Sequence, residues 1–141
     1  MAGEAIFGPF LGMFLLTFVV WVYMYARRLS YLKAHRVEAQ RLTTSARRDE
    51  IIPEEVSYAA YNLRNLFELP VLFYAVCLYL YVMQQVDAVY VFSSWLFLAL
   101  RVVHSAIHCT TNIVIARFTA YMFSALVLWF IVLRAVASFV L

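Results

Sequence analysis

Four stretches of the chain, residues 6–26, 66–83, 88–107 and 118–140, are apolar over lengths that meet or approach a membrane span; a helix needs about 20 such residues to cross a bilayer. Backbone amides find no water inside hydrocarbon, so each stretch must close its own hydrogen bonds as a helix. The expected fold class is therefore all-α, a polytopic four-transmembrane-helix bundle forming a single domain over residues 1–141. Composition agrees: 66% of the 141 residues are hydrophobic and 13% are charged, against about 25% charged in an ordinary soluble domain. That leaves too little polar surface to cover a globule in water and excludes a soluble enzyme. Cys77 and Cys109 both lie in apolar stretches and form no disulfide scaffold. The net charge of +3 comes without a basic run that could follow a phosphate backbone, so nucleic acid is not an expected partner.

Charge placement orients the bundle. Eight of the eleven Lys and Arg residues, Arg27, Arg28, Lys33, Arg36, Arg41, Arg47, Arg48 and Arg64, lie between the first and second spans. The positive-inside rule puts segment 27–64 in the cytoplasm, which leaves the N-terminus and the link around Asp87 outside and residues 112–117 inside. The first span has no basic residues before it and Arg27 and Arg28 after it, the opposite of a cleaved signal sequence, and is expected to be retained.

Within segment 27–64, Leu29, Leu32, Val37 and Leu42 recur among charges, which predicts that the first helix continues past the bilayer to a break at Thr43-Thr44-Ser45. Pro53 followed by Glu54 and Glu55 marks the next helix start, because proline fits the first helical position and acids complement the N-terminal dipole. That helix is expected to run from Pro53 to about Gln85 with a kink at Pro70.

Ionisable side chains are rare in membrane helices and face an interior, a cavity or a partner. In the second helix Arg64, Asn65 and Glu68 share a face with Tyr61; in the third, Arg101, His104, Ser105, His108 and Asn112 fall within an arc of about 100°. Three readings fit these stripes. They are structural glue, with Glu68 paired to an arginine and the histidines bonded across helices. They hold a metal on His104 and His108, spaced i and i+4, although no further His or Cys completes that site. Or they form a charged pocket for a small zwitterionic ligand, with Arg64, Arg101 and Arg117 taking carboxylates, Glu68 an amine and Asn65 an amide.

The stretch Asn62-Leu63-Arg64-Asn65-Leu66-Phe67-Glu68-Leu69-Pro70 resembles the second-helix signature of the MAPEG superfamily, the membrane-associated proteins in eicosanoid and glutathione metabolism. Arg101 and His104 resemble its Arg-x-x-His stripe, and Arg117 lies nine residues after His108 as the family's thiol-side arginine lies nine after its third-helix tyrosine. The likeness covers nearly the whole chain and is strongest to the bacterial branch, which implies a bacterial inner membrane as the location. It implies a homotrimer of four-helix bundles in membrane lipid, with glutathione as co-substrate between subunits and a lipophilic small molecule as second substrate. On that pattern Arg64, Asn65, Glu68, Arg101 and His104 hold glutathione, while Arg117 and His108 act on its sulfur; no resident metal is implied. The resulting expectation is a glutathione transferase or peroxidase, with a non-enzymatic bundle as the alternative. Two positions depart from the pattern: Tyr61 stands where glutathione-using eicosanoid members carry an arginine, and His108 replaces the tyrosine.

Overall fold

The computed structural model describes residues 2–140. Its elements are a short 3-10 helix at Ala2–Ile6 leading into α1 (Phe7–Ala34), a 3-10 turn at Ala39–Leu42, α2 (Ser45–Ile51), α3 (Glu54–Asn65), α4 (Leu69–Val82), α5 (Ala88–Cys109) and α6 (Val114–Val140). Four helical stretches, Gly3–Ala34, Glu54–Val82, Ala88–Cys109 and Val114–Val140, are long and apolar enough to cross a membrane. The chain is a multi-pass integral membrane protein.

Three expectations need correction. The first helix ends at Ala34 and does not reach Leu42. Arg36 turns left-handed at φ 50°, and Val37 N–H bonds back to Leu32 O at 3.0 Å while Arg36 N–H bonds to Lys33 O at 3.3 Å. These are the paired bonds that close a helix C-terminus, here without the glycine that normally announces them. Thr44 accordingly starts a helix: its Oγ1 accepts from Arg47 N–H at 3.2 Å and caps α2.

The second helix is broken rather than kinked. Pro70 lacks the N–H that would bond Leu66 O, and its ring disfavours a helical conformation in the residue before it. The chain leaves the helix at Leu66, Phe67 and Glu68, and Pro70 becomes the second residue of α4. Arg117, expected in the link between the last two spans, is instead the fourth residue of α6.

α5 packs along α6, and α1 against α3 and α5. Gly8 and Gly12 bring α1 close to α5: a Cβ on Gly8 would stand 2.9 Å from the Trp95 ring and one on Gly12 2.5 Å from Leu98. Small residues four apart permit such close approach between membrane helices. The core is apolar at mid-depth, where Phe73 of α4 stacks on Phe97 of α5 with centroids 4.6 Å apart. The outward side chains, among them Leu15, Phe92, Ile115 and Leu133, are apolar and exposed, as a lipid-facing surface requires. At one end Asp87 caps α5 by accepting from Tyr90 N–H at 3.0 Å. Its two oxygens also take a bidentate pair from Arg134 of α6, at 2.9 and 2.6 Å.

Candidate functional site

The polar stripe of α5 lies at the opposite end and is buried: Arg101, His104, Ser105 and His108 are all at most 3% exposed. Residues four apart on a helix stack on one face, so the stripe resolves into two columns. Arg101, Ser105 and Cys109 turn toward α3; His104 and His108 turn toward the start of α6.

Arg101 meets the broken second helix. Its Nη2 donates to the backbone carbonyl of Asn65, the last residue of α3, at 3.2 Å. Helix C-termini leave carbonyls unsatisfied and carry the negative end of the dipole, which attracts a cation by about 0.3–2 kcal/mol. The guanidinium carbon also lies 5.7 Å from the centroid of the Tyr121 ring on α6, within cation–π range. Nε and Nη1 of Arg101 are buried with no hydrogen-bond partner among the described residues.

His104 ties α5 to α6. Its Nδ1 stands 2.8 Å from the backbone carbonyl of Arg117, and because a carbonyl only accepts, Nδ1 carries the proton. Nε2 is left buried and unpartnered among the described residues, as is Nδ1 of His108, whose ring lies edge-on to His104 with centroids 5.4 Å apart. The half-buried Arg117 side chain donates through Nη1 to Asn112 Oδ1.

The predicted site residues therefore divide. Arg101, His104, His108 and Arg117 gather where α5, α6 and the end of α3 meet, joined there by the backbone of Asn65. Arg64 and Glu68 stand outside this bonded set: both are exposed and neither side chain forms an ion pair or hydrogen bond among the described residues, although the Glu68 carboxylate lies within electrostatic reach of Arg101. The expected close pair between Glu68 and an arginine is not formed within one chain: the helix breaks after Asn65, and Glu68 acts on Arg101 only at longer range. Asn65 itself folds its amide back, Nδ2 donating to Tyr61 O at 3.3 Å.

Two further residues, Tyr121 and Asn62, contribute to the site. Tyr121 sits in an apolar run, and its only signal was its place one turn after Arg117. Asn62 was visible in the signature but had no role; it is fully buried and bonded to Ser105 and Cys109.

Residues 6–137 match the family model of the MAPEG family. The chain belongs to the MAPEG family. No curated protein and no solved structure matches it. As a MAPEG protein it carries the family's general association with glutathione and eicosanoid metabolism. Within this MAPEG chain the second-helix signature divides: the Asn62 side chain and the Asn65 carbonyl bond to α5, while Arg64 and Glu68 are exposed.

Proposed function

We propose that this MAPEG chain is a membrane-embedded enzyme that uses glutathione, or a related low-molecular-weight thiol, against a lipophilic electrophile or lipid peroxide. The observation that carries this reading is the set of buried polar atoms on α5 left unpartnered among the described residues: Arg101 Nε and Nη1, His104 Nε2 and His108 Nδ1. Buried donors and acceptors cost about 1–3 kcal/mol each when unmet, and a ligand with carboxylate and amide groups would meet them. Arg101 and His104 hold glutathione together with Arg64, Asn65 and Glu68. Arg117 and His108 serve the sulfur: a thiolate is the nucleophile, and a neighbouring cation or donor favours it. In the transferase reaction the thiolate forms a C–S bond and the electrophile releases its leaving group. In the peroxidase reaction it attacks the outer peroxide oxygen, forming an S–O bond as the O–O bond breaks and the lipid alcohol leaves; the thiol of a second glutathione then attacks the sulfur of that sulfenic acid, giving the disulfide and water.

We further propose a homotrimer. Arg64 and Glu68 are exposed and form no side-chain bond to the other site residues among the described residues, so a ligand that engages all of them reaches the surface of the bundle, where a neighbouring subunit would cover it. An apolar groove of about 480 Å³ between α4 and α6, lined by Leu72, Tyr79, Trp129 and Val132 among others, offers a seat for a second copy. Orientation follows the charges, with the N-terminus outside a bacterial inner membrane and residues 27–64 in the cytoplasm.

The competing reading is a non-enzymatic bundle that binds lipid, favoured by the bonds of Arg101 to Asn65 and Asn62 to Ser105, which tie helices together without any ligand. Calorimetric titration of glutathione into the purified protein separates the two. Saturable binding below millimolar concentration supports the enzyme; no binding at millimolar concentration supports the bundle.

A further inference from the structure

Asn62 stands in the last turn of α3, fully buried, with both ends of its amide committed to α5. Its Oδ1 accepts from Ser105 Oγ at 3.3 Å, and its Nδ2 donates to Cys109 Sγ at 3.5 Å. Ser105 and Cys109 continue the column that begins with Arg101, and α3 runs antiparallel to it. Asn62 thus grips that column beside the point where Arg101 meets the Asn65 carbonyl.

A buried amide is costly in an apolar bundle unless its bonds are made, and leucine would fill the same volume without that demand. What the amide adds is direction. Apolar packing is non-directional and leaves the rotation of α3 weakly fixed, and α3 has lost the support of a continuous helix because the chain leaves the helix at Leu66. The end of α3 is nevertheless the part that must be placed accurately: its final carbonyl receives Arg101, and its Arg64 must turn outward.

We propose that Asn62 is a positioning residue. Its two bonds to α5 fix the rotation and height of the α3 terminus, which sets the Asn65 carbonyl against Arg101 and aims Arg64 out of the bundle. The motif Asn-Leu-Arg-Asn then has a division of labour: the Asn62 amide and the Asn65 carbonyl build a bracket, and the Arg64 and Asn65 side chains it carries meet the ligand. The functional half of this inference rests on the glutathione reading above; the structural half does not.

The test uses the full-length protein in detergent, with Asn62→Leu and Ser105→Ala as variants and Thr119→Ala, on the exposed face of α6, as control. Ser105→Ala removes one oxygen and keeps the question answerable if Asn62→Leu does not fold. Amide hydrogen exchange of residues 66–68, whose N–H groups bond to Asn62, Leu63, Arg64 and Asn65 carbonyls, should accelerate about tenfold in either variant and stay unchanged in the control. The dissociation constant for glutathione should weaken by a similar factor while the rate at saturation stays within about twofold. Unchanged exchange in the folded variants overturns the inference. Faster exchange with an unchanged glutathione constant also overturns the positioning role and leaves a structural tie. Faster exchange in a protein whose wild type binds no glutathione retains the bracket and removes the thiol reading instead.

Discussion

His104 donates its Nδ1 proton to the backbone carbonyl of Arg117 at 2.8 Å, so a side chain buried on α5 sets the height of the first turns of α6. The bond also fixes the tautomer, leaving the lone pair on Nε2. His104→Phe should therefore act twice. It removes a buried hydrogen bond, a loss of about 1–3 kcal/mol visible in thermal unfolding, and it releases the segment carrying Arg117. His104→Asn, which can still donate, should recover part of the melting temperature. Equal melting temperatures for wild type and His104→Phe would show that the bond contributes nothing.

Glu68 is exposed and pairs with no cation among the described residues, so Glu68→Ala should change unfolding by no more than about 0.5 kcal/mol, as for a surface substitution. Glutathione affinity should fall by roughly tenfold, the size expected for a lost charged hydrogen bond. A large fall in the melting temperature of monomeric protein would place the carboxylate in a buried pair.

Asp87 and Arg134 tie α5 to α6 at the other end of the bundle. The bidentate bond from Arg134 holds the Asp87 carboxyl down at about 2, below the usual value of about 3.9 for an unfolded chain. A depressed carboxyl stabilises the fold fully above the unfolded value, and that contribution is lost as pH falls through the folded one. The window is therefore from about pH 4 to pH 2. Carbon-13 carboxylate NMR should show Asp87 titrating near the bottom of that window in wild type and higher in Arg134→Gln. An Asp87 that titrates near 4 in wild type would mean that the pair is open in solution.

Reporter fusions after Thr44 and after Gln85 should report opposite sides of the membrane, with Thr44 in the cytoplasm. The same side for both contradicts the four-span topology.

The spans were legible because length and hydropathy alone decide whether a helix can cross a bilayer. The polar stripe of α5 was legible because five polar residues in one arc of an apolar helix stand out against their background. Its division into an α3-facing and an α6-facing column was not, since periodicity defines a face and says nothing of which neighbour occupies each edge. Pro70 announced a disturbance, but its effect fell on the turn before it, where residues 66–68 leave the helix. The end of α1 carried no signal because Arg36 occupies the left-handed position where glycine is usual. Asn62 was in plain view within the signature, and only the partner geometry gives it a role.

The proposed chemistry depends on a thiolate beside Arg117 and His108, and ultraviolet absorbance of glutathione bound to the purified protein follows that species directly across pH. The thiolate band should develop at lower pH in the bound state than for free glutathione. Arg117→Ala should move it back up while leaving the binding constant nearly unchanged, and Arg64→Ala should weaken binding and leave the titration in place. A bound thiol that titrates identically in wild type and Arg117→Ala, or no bound thiolate in wild type at millimolar glutathione, would contradict the proposed function.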